Sequence, residues 1–289
     1  MNLEGWTSGA STALYFPLHI VKPSSLQNII GDEESLRQCG PGSIMYYELE
    51  ADMLKFYFNG SPNPMKVALF LEEAGLPYEA IPVDTRRGQQ FEAELLRHNP
   101  NAKVPVIVDE EAAATVFDSN AILLYLAEKT GKFLSQNTLA GRAELLSWLM
   151  FVATGVGPFS GQAVHFAHFA PEKVPYAEKR YLYEAERHFK ILDERLKNRR
   201  HLVSYMYTIA DMDLWGWSRM VPFILGEDAW EKFPHLKRHH DDVSARPAAA
   251  RALALKDSYP FKAEMDDEAR GHMFKHLRKA LLPLAGSHR

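Results

Sequence analysis

A short strand that runs through a tight polar turn into an amphipathic helix constrains this chain more than any other stretch: residues 53–76, MLKFYFNGSPNPMKVALFLEEAGL. Residues 54–58, apolar and aromatic apart from Lys55, read as a strand, and residues 59–63 read as a turn. Val67, Phe70, Leu71 and Ala74 then recur at helical spacing. The turn predicts Asn63 as the helix N-cap and Pro64 as the first helical residue, where a backbone N–H has no partner to lose. The free donors and the positive dipole end of that helix point back at Ser61, so a thiolate or carboxylate would be stabilised there.

The same alternation continues, with a strand over 78–83, a helix over 88–97, strands over 106–109 and 115–117, and a helix over 119–130. The first strand, helix and strand form a βαβ unit, and the two strands separated by a few residues form an antiparallel hairpin. The order βαβ then ββα is that of a thioredoxin-like domain, here residues 53–132. After Gly131 the strands stop, and helices are expected over 140–156, 176–198, 209–224, 234–244 and 247–255. The fold class is therefore α/β plus all-α, with a helical domain over residues 138–258. Thr208 and Asp211 spell a capping box, a structural signal with no catalytic role. The tail, residues 259–289, carries a basic helical stretch over 272–282, expected to be a solvated or docking helix.

Composition narrows the function classes. A chain of 289 residues with 46% apolar residues builds a substantial core, as two domains. A net charge of -4 with scattered basic residues argues against nucleic acid and anionic membrane as partners. The single cysteine, Cys39, excludes an internal disulfide and a cysteine-rich metal site and fits a cytoplasmic location. Residues 1–52, with seven acidic against two basic residues, read as a poorly ordered extension, and Met53 is a candidate alternative start. The first residues lack the pattern of a signal peptide. The apolar run over 145–159 is broken by Gly155, Gly157 and Pro158 and is read as too short to span a bilayer.

A thioredoxin-like half followed by a helical half, with an Asn101-Ala102-Lys103-Val104-Pro105 loop and the run Phe117-Asp118-Ser119-Asn120-Ala121-Ile122, resembles the soluble glutathione transferases. The Ser-Pro-Asn-Pro turn, the Gly-Gln-Gln-Phe segment, Gly157-Pro158 through Gly161-Gln162, His165-Phe166 and Pro175-Tyr176-Ala177 are most similar to the nu class, which includes glutathione-dependent disulfide-bond oxidoreductases. The resemblance implies glutathione as cosubstrate, a homodimer, and reduction of small disulfides with weaker conjugation. The alternatives are a conjugating or dehalogenating transferase and a non-catalytic glutathione-binding regulator.

By the same resemblance, Ser61 and Asn63 are the catalytic pair at the glutathione sulfur, and the turn offers no cysteine for a mixed disulfide. Val104, before a cis proline, presents its backbone to the cysteinyl part of the tripeptide. Asp118 and Ser119 receive the γ-glutamyl end, though both are equally ordinary N-cap residues. Gln90 and Lys103 are placed at the glycine end, with the choice between Gln89 and Gln90 open. Arg180 is placed near glutathione, with an ion pair to Glu178 or Glu184 as the alternative. Trp148, Phe151, Phe159, His165, Phe166, His168 and Phe169 are expected to line an aromatic second site. His165 and His168 alone are too weak a set for a metal, and none is expected.

Overall fold

The structure is a computed structural model and describes residues 53–277; the expected extension over 1–52, including Cys39, lies outside the described residues. Its sheet has four strands, β1 (Leu54–Phe58), β2 (Tyr78–Pro82), β3 (Val106–Asp109) and β4 (Ala114–Phe117), in the order β2-β1-β3-β4. β2 is parallel to β1, while β3 and β4 are antiparallel to their neighbours. This is the thioredoxin-like arrangement expected.

Strand alternation sets the two faces of the sheet. Phe56 and Phe58 point to one side, both fully buried and stacked at 5.3 Å, beneath the helices α1 (Pro62–Ala74) and α3 (Ser119–Thr130). Tyr57 points to the other side and packs with Val83, Leu95 and Val106, where α2 (Ala93–His98) covers the sheet. Gly75 closes α1 in the left-handed conformation, φ 66°, with its N–H on the Leu71 carbonyl, a geometry glycine adopts without strain.

α1 begins two residues earlier than the sequence suggests. Ser61 is the N-cap, with an extended backbone, and Pro62 is the first helical residue. Pro64 then sits at the third helical position, still among the donors that no carbonyl of the helix reaches, so both prolines are tolerated. Asn63 lies inside the helix, and its side chain is released from capping.

The helical half comprises α4 (Leu139–Phe151), α5 (Gly157–Val164), α6 (Pro175–Leu196), α7 (Ile209–Ser218), α8 (Val221–Leu225), α9 (Ala229–Lys232), α10 (Pro234–Ser244), α11 (Pro247–Asp257) and α12 (Asp267–Met273). The expected single helix over 209–224 is two, because Pro222 has no N–H to continue the ladder. Gly155, Gly157 and Pro158 do not break the run before them either. Two π turns, Val152–Val156 and His165–Phe169, carry the chain through α4 and α5 as one helical path of 31 residues, Leu139–Phe169. By length and composition that path is long and apolar enough to cross a membrane, contrary to the reading that the run is too short. Here Leu145, Leu149, Val152, Val156 and Ala163 pack into the core with Phe189 of α6 and Leu214 of α7.

One hydrophobic cluster runs from the sheet face through α1 into the helical half. Inside it lies a closed polar knot. The Lys66 ammonium of α1 donates to Asn120 Oδ1 and Asp213 Oδ1, both at 2.5 Å, and Asn120 Nδ2 donates to Asp213 Oδ2 at 2.6 Å and to the Leu149 carbonyl at 3.0 Å.

A second buried carboxylate, Asp211, completes the capping box of α7 through the Thr208 N–H at 2.9 Å and also accepts from the Leu202 N–H and His239 Nε2, both at 2.9 Å. Burial pushes this acid upward, but the imidazoles of His201 and His239 and the Leu202 N–H outweigh it and hold the carboxyl far below the usual carboxylate range. A depressed native pKa contributes stability above the unfolded value of about 3.9, and that contribution is lost as pH falls through the native value. Asp211→Asn is expected to cost roughly 2–3 kcal/mol at pH 7 and to flatten the loss of stability between about pH 4 and pH 2, read from urea unfolding curves. An unchanged acid limb in the variant would assign it to other carboxylates.

Candidate functional site

Strand register brings the predicted residues together. Tyr57 lies opposite Val106, and Val106 opposite Phe117. The segments just beyond these residues therefore leave the sheet at the same end: the 59–61 turn after β1, Val104-Pro105 before β3, and Asp118-Ser119 after β4. Phe58 pairs with Pro82, so the loop over 83–90 leaves there as well. This convergence places Ser61, Asn63, Lys103, Val104, Asp118 and Ser119 around one end of the sheet.

Asn59 shapes the turn: its Oδ1 accepts from the Ser61 N–H at 3.0 Å and the Ser61 hydroxyl at 2.6 Å. Ser61 is exposed, and its proton is committed to Asn59. Asn63 Oδ1 accepts from Trp217 Nε1 at 3.2 Å. An indole nitrogen can only donate, so this bond fixes the amide with its NH2 turned away from Trp217, as a donor at the start of α1. Trp217 is held in turn by α5, where a Cβ on Gly157 would stand 3.2 Å from the indole. α7 approaches the first turn of α1 because Gly216 leaves room for the Pro62 carbonyl, 2.7 Å from where a Cβ would be.

Other predicted residues are placed with different partners. Val104-Pro105 is a cis peptide, and Val104 packs beside Tyr57 and Val106. Asp118, at φ 70°, caps α3 by accepting from the Asn120 and Ala121 N–H groups at 2.9 and 3.3 Å; Ser119 is buried with its hydroxyl on Asn120 Oδ1 at 3.3 Å. The capping role held open for this pair is therefore realised by Asp118 alone, Ser119 being the first helical residue. Lys103 is exposed. Of the two glutamines, Gln90 is the buried one: its Nε2 donates to the carbonyls of Thr85 (3.2 Å) and His272 (3.3 Å), while its buried Oε1 has no hydrogen-bond partner. Gln89 Oε1 accepts from the Asp84 N–H at 2.7 Å. Arg180 does not line the site; its guanidinium is bonded to Glu184 on the same helix, which the i,i+4 spacing favours.

Ser61 opens onto a cavity of about 880 Å³. Its walls are the 59–62 turn, the 84–86 loop, the end of α5, the stretch from Trp217 to Phe223, Lys256, and the chain between Phe261 and His276. The described part of the tail is thus docked as a wall of the cavity, the second of the two roles expected of it; residues 278–289 lie outside the described residues. It is fastened by the Lys262 N–H on Asp84 Oδ2 (2.7 Å), by the Arg86 guanidinium on the carbonyls of Lys262 and Ala263, and by the Tyr259 hydroxyl on the Ala80 carbonyl (3.3 Å). The predicted basic helix from 272 is interrupted at Phe274, between α12 and a short 3-10 turn, Lys275–Leu277.

Of the expected aromatic set, His165 and Phe169 line the cavity, whereas Phe166 stacks on Tyr181 and Phe159 on His188. His168 turns to Phe223, stacking at 4.4 Å. Among the described residues one other set, His201, Asp211 and His239, brings metal-ligating atoms within 4.8 Å of one another; its carboxylate is the capping-box acid already hydrogen-bonded by Leu202, Thr208 and His239. Sequence reasoning missed Asn59, Trp217, Arg86 and Lys256. The Asn-Gly-Ser spelling was a usable sign of an Asx turn for the first, and nothing local marks the others.

Comparison with known proteins agrees with this architecture. The sequence model for the glutathione S-transferase N-terminal domain matches residues 60–129, and that for the C-terminal domain matches residues 158–247. The disulfide-bond oxidoreductase YfcG of Escherichia coli strain K12 is 42% identical over 228 residues, covering 75% of this chain and 98% of that protein. The chain belongs to the glutathione S-transferase family. Within the family, E. coli YghU, also a disulfide-bond oxidoreductase, is 39% identical over 214 residues, covering 68% of this chain and 73% of that protein. A glutathione transferase from Burkholderia graminis, solved with two glutathione molecules per subunit, superposes with a TM-score of 0.65 at 35% identity, covering 70% of this chain and 88% of that one. A Pseudomonas putida glutathione transferase with one glutathione disulfide per subunit gives a TM-score of 0.66 at 34% identity, covering 71% and 92%.

Proposed function

We propose that this glutathione S-transferase reduces small disulfides with glutathione, and that conjugation to electrophiles is a secondary activity. The single observation that carries the reading is the start of α1: a cysteine-free turn with an amide donor, Asn63, oriented by Trp217, beside a cavity large enough for a second thiol-bearing molecule. The bound glutathione thiolate is the nucleophile, held by the Asn63 NH2 and the N-terminus of α1. It attacks one sulfur of the disulfide and expels the other as a thiolate; a second glutathione attacks the mixed disulfide, giving glutathione disulfide and two thiols from one disulfide and two glutathiones.

Ionisation alone is a weak lever. Lowering a thiol pKa from about 8.5 by about two units raises the thiolate fraction at pH 7 roughly 25-fold, but the loss of nucleophilicity returns about 8-fold, leaving about three-fold. The larger gain comes from holding two sulfurs in line, which the cavity has the volume to do. The family and its relatives support glutathione as cosubstrate, and the reading extends to a cytoplasmic homodimer without metal, nucleic-acid or membrane partners.

The test is to supply the purified protein with glutathione and either a dialkyl disulfide or a chlorinated aromatic electrophile. Faster production of glutathione disulfide than of thioether is expected. The reverse ratio would make it a conjugating transferase, and glutathione binding without either product would make it a regulatory binding protein.

A further inference from the structure

Gly157 and Gly161 of α5 face Trp217, and His165, the first residue of the π turn that follows, comes at the next four-residue step. A Cβ on Gly157 would lie 3.2 Å from the indole and one on Gly161 4.0 Å from it. One turn further, a rise of about 6 Å, His165 lines the cavity onto which Ser61 opens. Its ring packs against Phe166 at 5.1 Å and Phe274 of the tail at 4.6 Å. Among the described residues, neither ring nitrogen makes a protein hydrogen bond. An imidazole with free nitrogens on the wall of a reaction cavity is equipped to move a proton.

We propose that His165 is the general base for the second glutathione, resting on the disulfide-reductase reading above. The first glutathione binds as thiolate and needs no base. The second arrives as a thiol, of which only about 3% is ionised at pH 7 for an unperturbed pKa near 8.5. As its sulfur attacks the mixed disulfide, its S–H proton passes to a His165 nitrogen. The new S–S bond forms glutathione disulfide, the old S–S bond breaks, and its electron pair leaves on the substrate sulfur. The imidazolium then gives the proton to that thiolate, so His165 ends neutral and the second thiol product leaves protonated. No oxidant, reductant or metal is required.

The charge environment suits a base. Burial, with a smaller contribution from His276 on the tail, lowers the His165 pKa below its ordinary value and keeps the ring neutral near pH 7. His276 is the titratable group facing it from the tail, where Met273 and Phe274 are uncharged. His168 on its own π turn is directed to the Phe223 carbonyl at 3.3 Å. α6 contributes Tyr181 against Phe166, and α7 offers Trp217. The fixed charges elsewhere on the wall are Asp84, Arg86, Lys256 and Lys262.

The experiment is the pH profile of dialkyl disulfide reduction at saturating glutathione, from pH 6 to 9.5, for the wild-type protein, His165→Gln and His276→Gln. Without the base only the ionised fraction of the second thiol reacts. His165→Gln is therefore expected to be about 30-fold slower at pH 7 and to approach the wild-type rate above about pH 9. Glutathione affinity, followed by Trp fluorescence, is expected to be unchanged, and His276→Gln, which removes only the smaller influence on the His165 ring, to show no deficit of about 30-fold at pH 7. A His165→Gln rate reduced by the same factor at every pH, or not reduced at all, would overturn the proposal. A pH-dependent deficit found in His276→Gln and absent from His165→Gln would overturn it too, moving the role to the tail. A wild-type protein that reduces no disulfide at any pH would remove the underlying reading along with the proposal.

Discussion

Asn63→Ala is expected to slow glutathione-dependent disulfide reduction by about 10²-fold or more, the usual effect of removing one oriented donor from a developing or stabilised anion. Ser61→Ala is expected to cost less than about 10-fold. The difference comes from what each side chain already holds. The Ser61 proton is given to Asn59 Oδ1 at 2.6 Å, so a sulfur could take it only by breaking that bond. The Asn63 oxygen is occupied by the Trp217 N–H, which leaves the NH2 with nothing to do but donate forward. Trp217→Phe is expected to fall between the two, because it removes the group that orients the amide while leaving the amide in place. The measurement is the disulfide reduction rate of each variant, paired with ultraviolet thiolate absorbance of bound glutathione. A larger loss in Ser61→Ala would make the hydroxyl the sulfur's partner.

Lys66→Met is expected to lower stability by about 3–5 kcal/mol, the cost of leaving one member of a buried ion pair unpaired, which for a domain of this size is roughly 10 °C in Tm. Both Lys66 and Asp213 are essentially excluded from water, with side-chain exposures of 1% and 0%. Full burial pushes the Asp213 carboxyl upward against the pull of Lys66 and Asn120. Without the ammonium, Asp213 is expected to take up a proton, which recovers part of the loss. The double variant Lys66→Met/Asp213→Leu is expected to be more stable than either single variant, because no orphaned charge remains, though Asn120 then loses its carboxylate acceptor. Thermal unfolding by circular dichroism distinguishes these cases. If the losses simply add, the pair is not coupled.

The alternation of strand and helix was legible because it is written in local periodicity. Phe56 and Phe58 fall on one side, Tyr57 on the other, and Val67, Phe70, Leu71 and Ala74 recur on one helix face whatever the rest of the chain does. The start of α1 was misplaced by two residues because a proline at the third helical position satisfies the same rule as one at the first. The Gly-Val-Gly-Pro stretch looked like an interruption because the space it makes for Trp217 lies about sixty residues away in sequence. The same limit hid the rest of the site. Lys66 and Asp213 are separated by 147 positions, and Lys262 and Asp84 by 178, so no local pattern marks either pair. Arg180 is the opposite case: its partner, Glu184, sits four residues on, and proximity decided its role. The family resemblance located the end of the sheet where chemistry belongs, but it did not foresee that Gln90 would donate to the tail, whereas the helix cap made by the Asp118 carboxylate was already open to its residue type.

The wall formed by residues 261–276 also fixes when the site first exists. Because synthesis runs from the N-terminus, the sheet, α1 and the Trp217 helix leave the ribosome before residues 261–276 do. At that stage Ser61 faces open water, Asp84 and Arg86 lack the backbone groups they bind in the finished fold, and His165 lacks the cover of Phe274. A nascent chain that has released these elements still lacks one wall of the cavity. Assembly of the fold and acquisition of its cavity are separate events in the life of the molecule, divided by the emergence of its last wall.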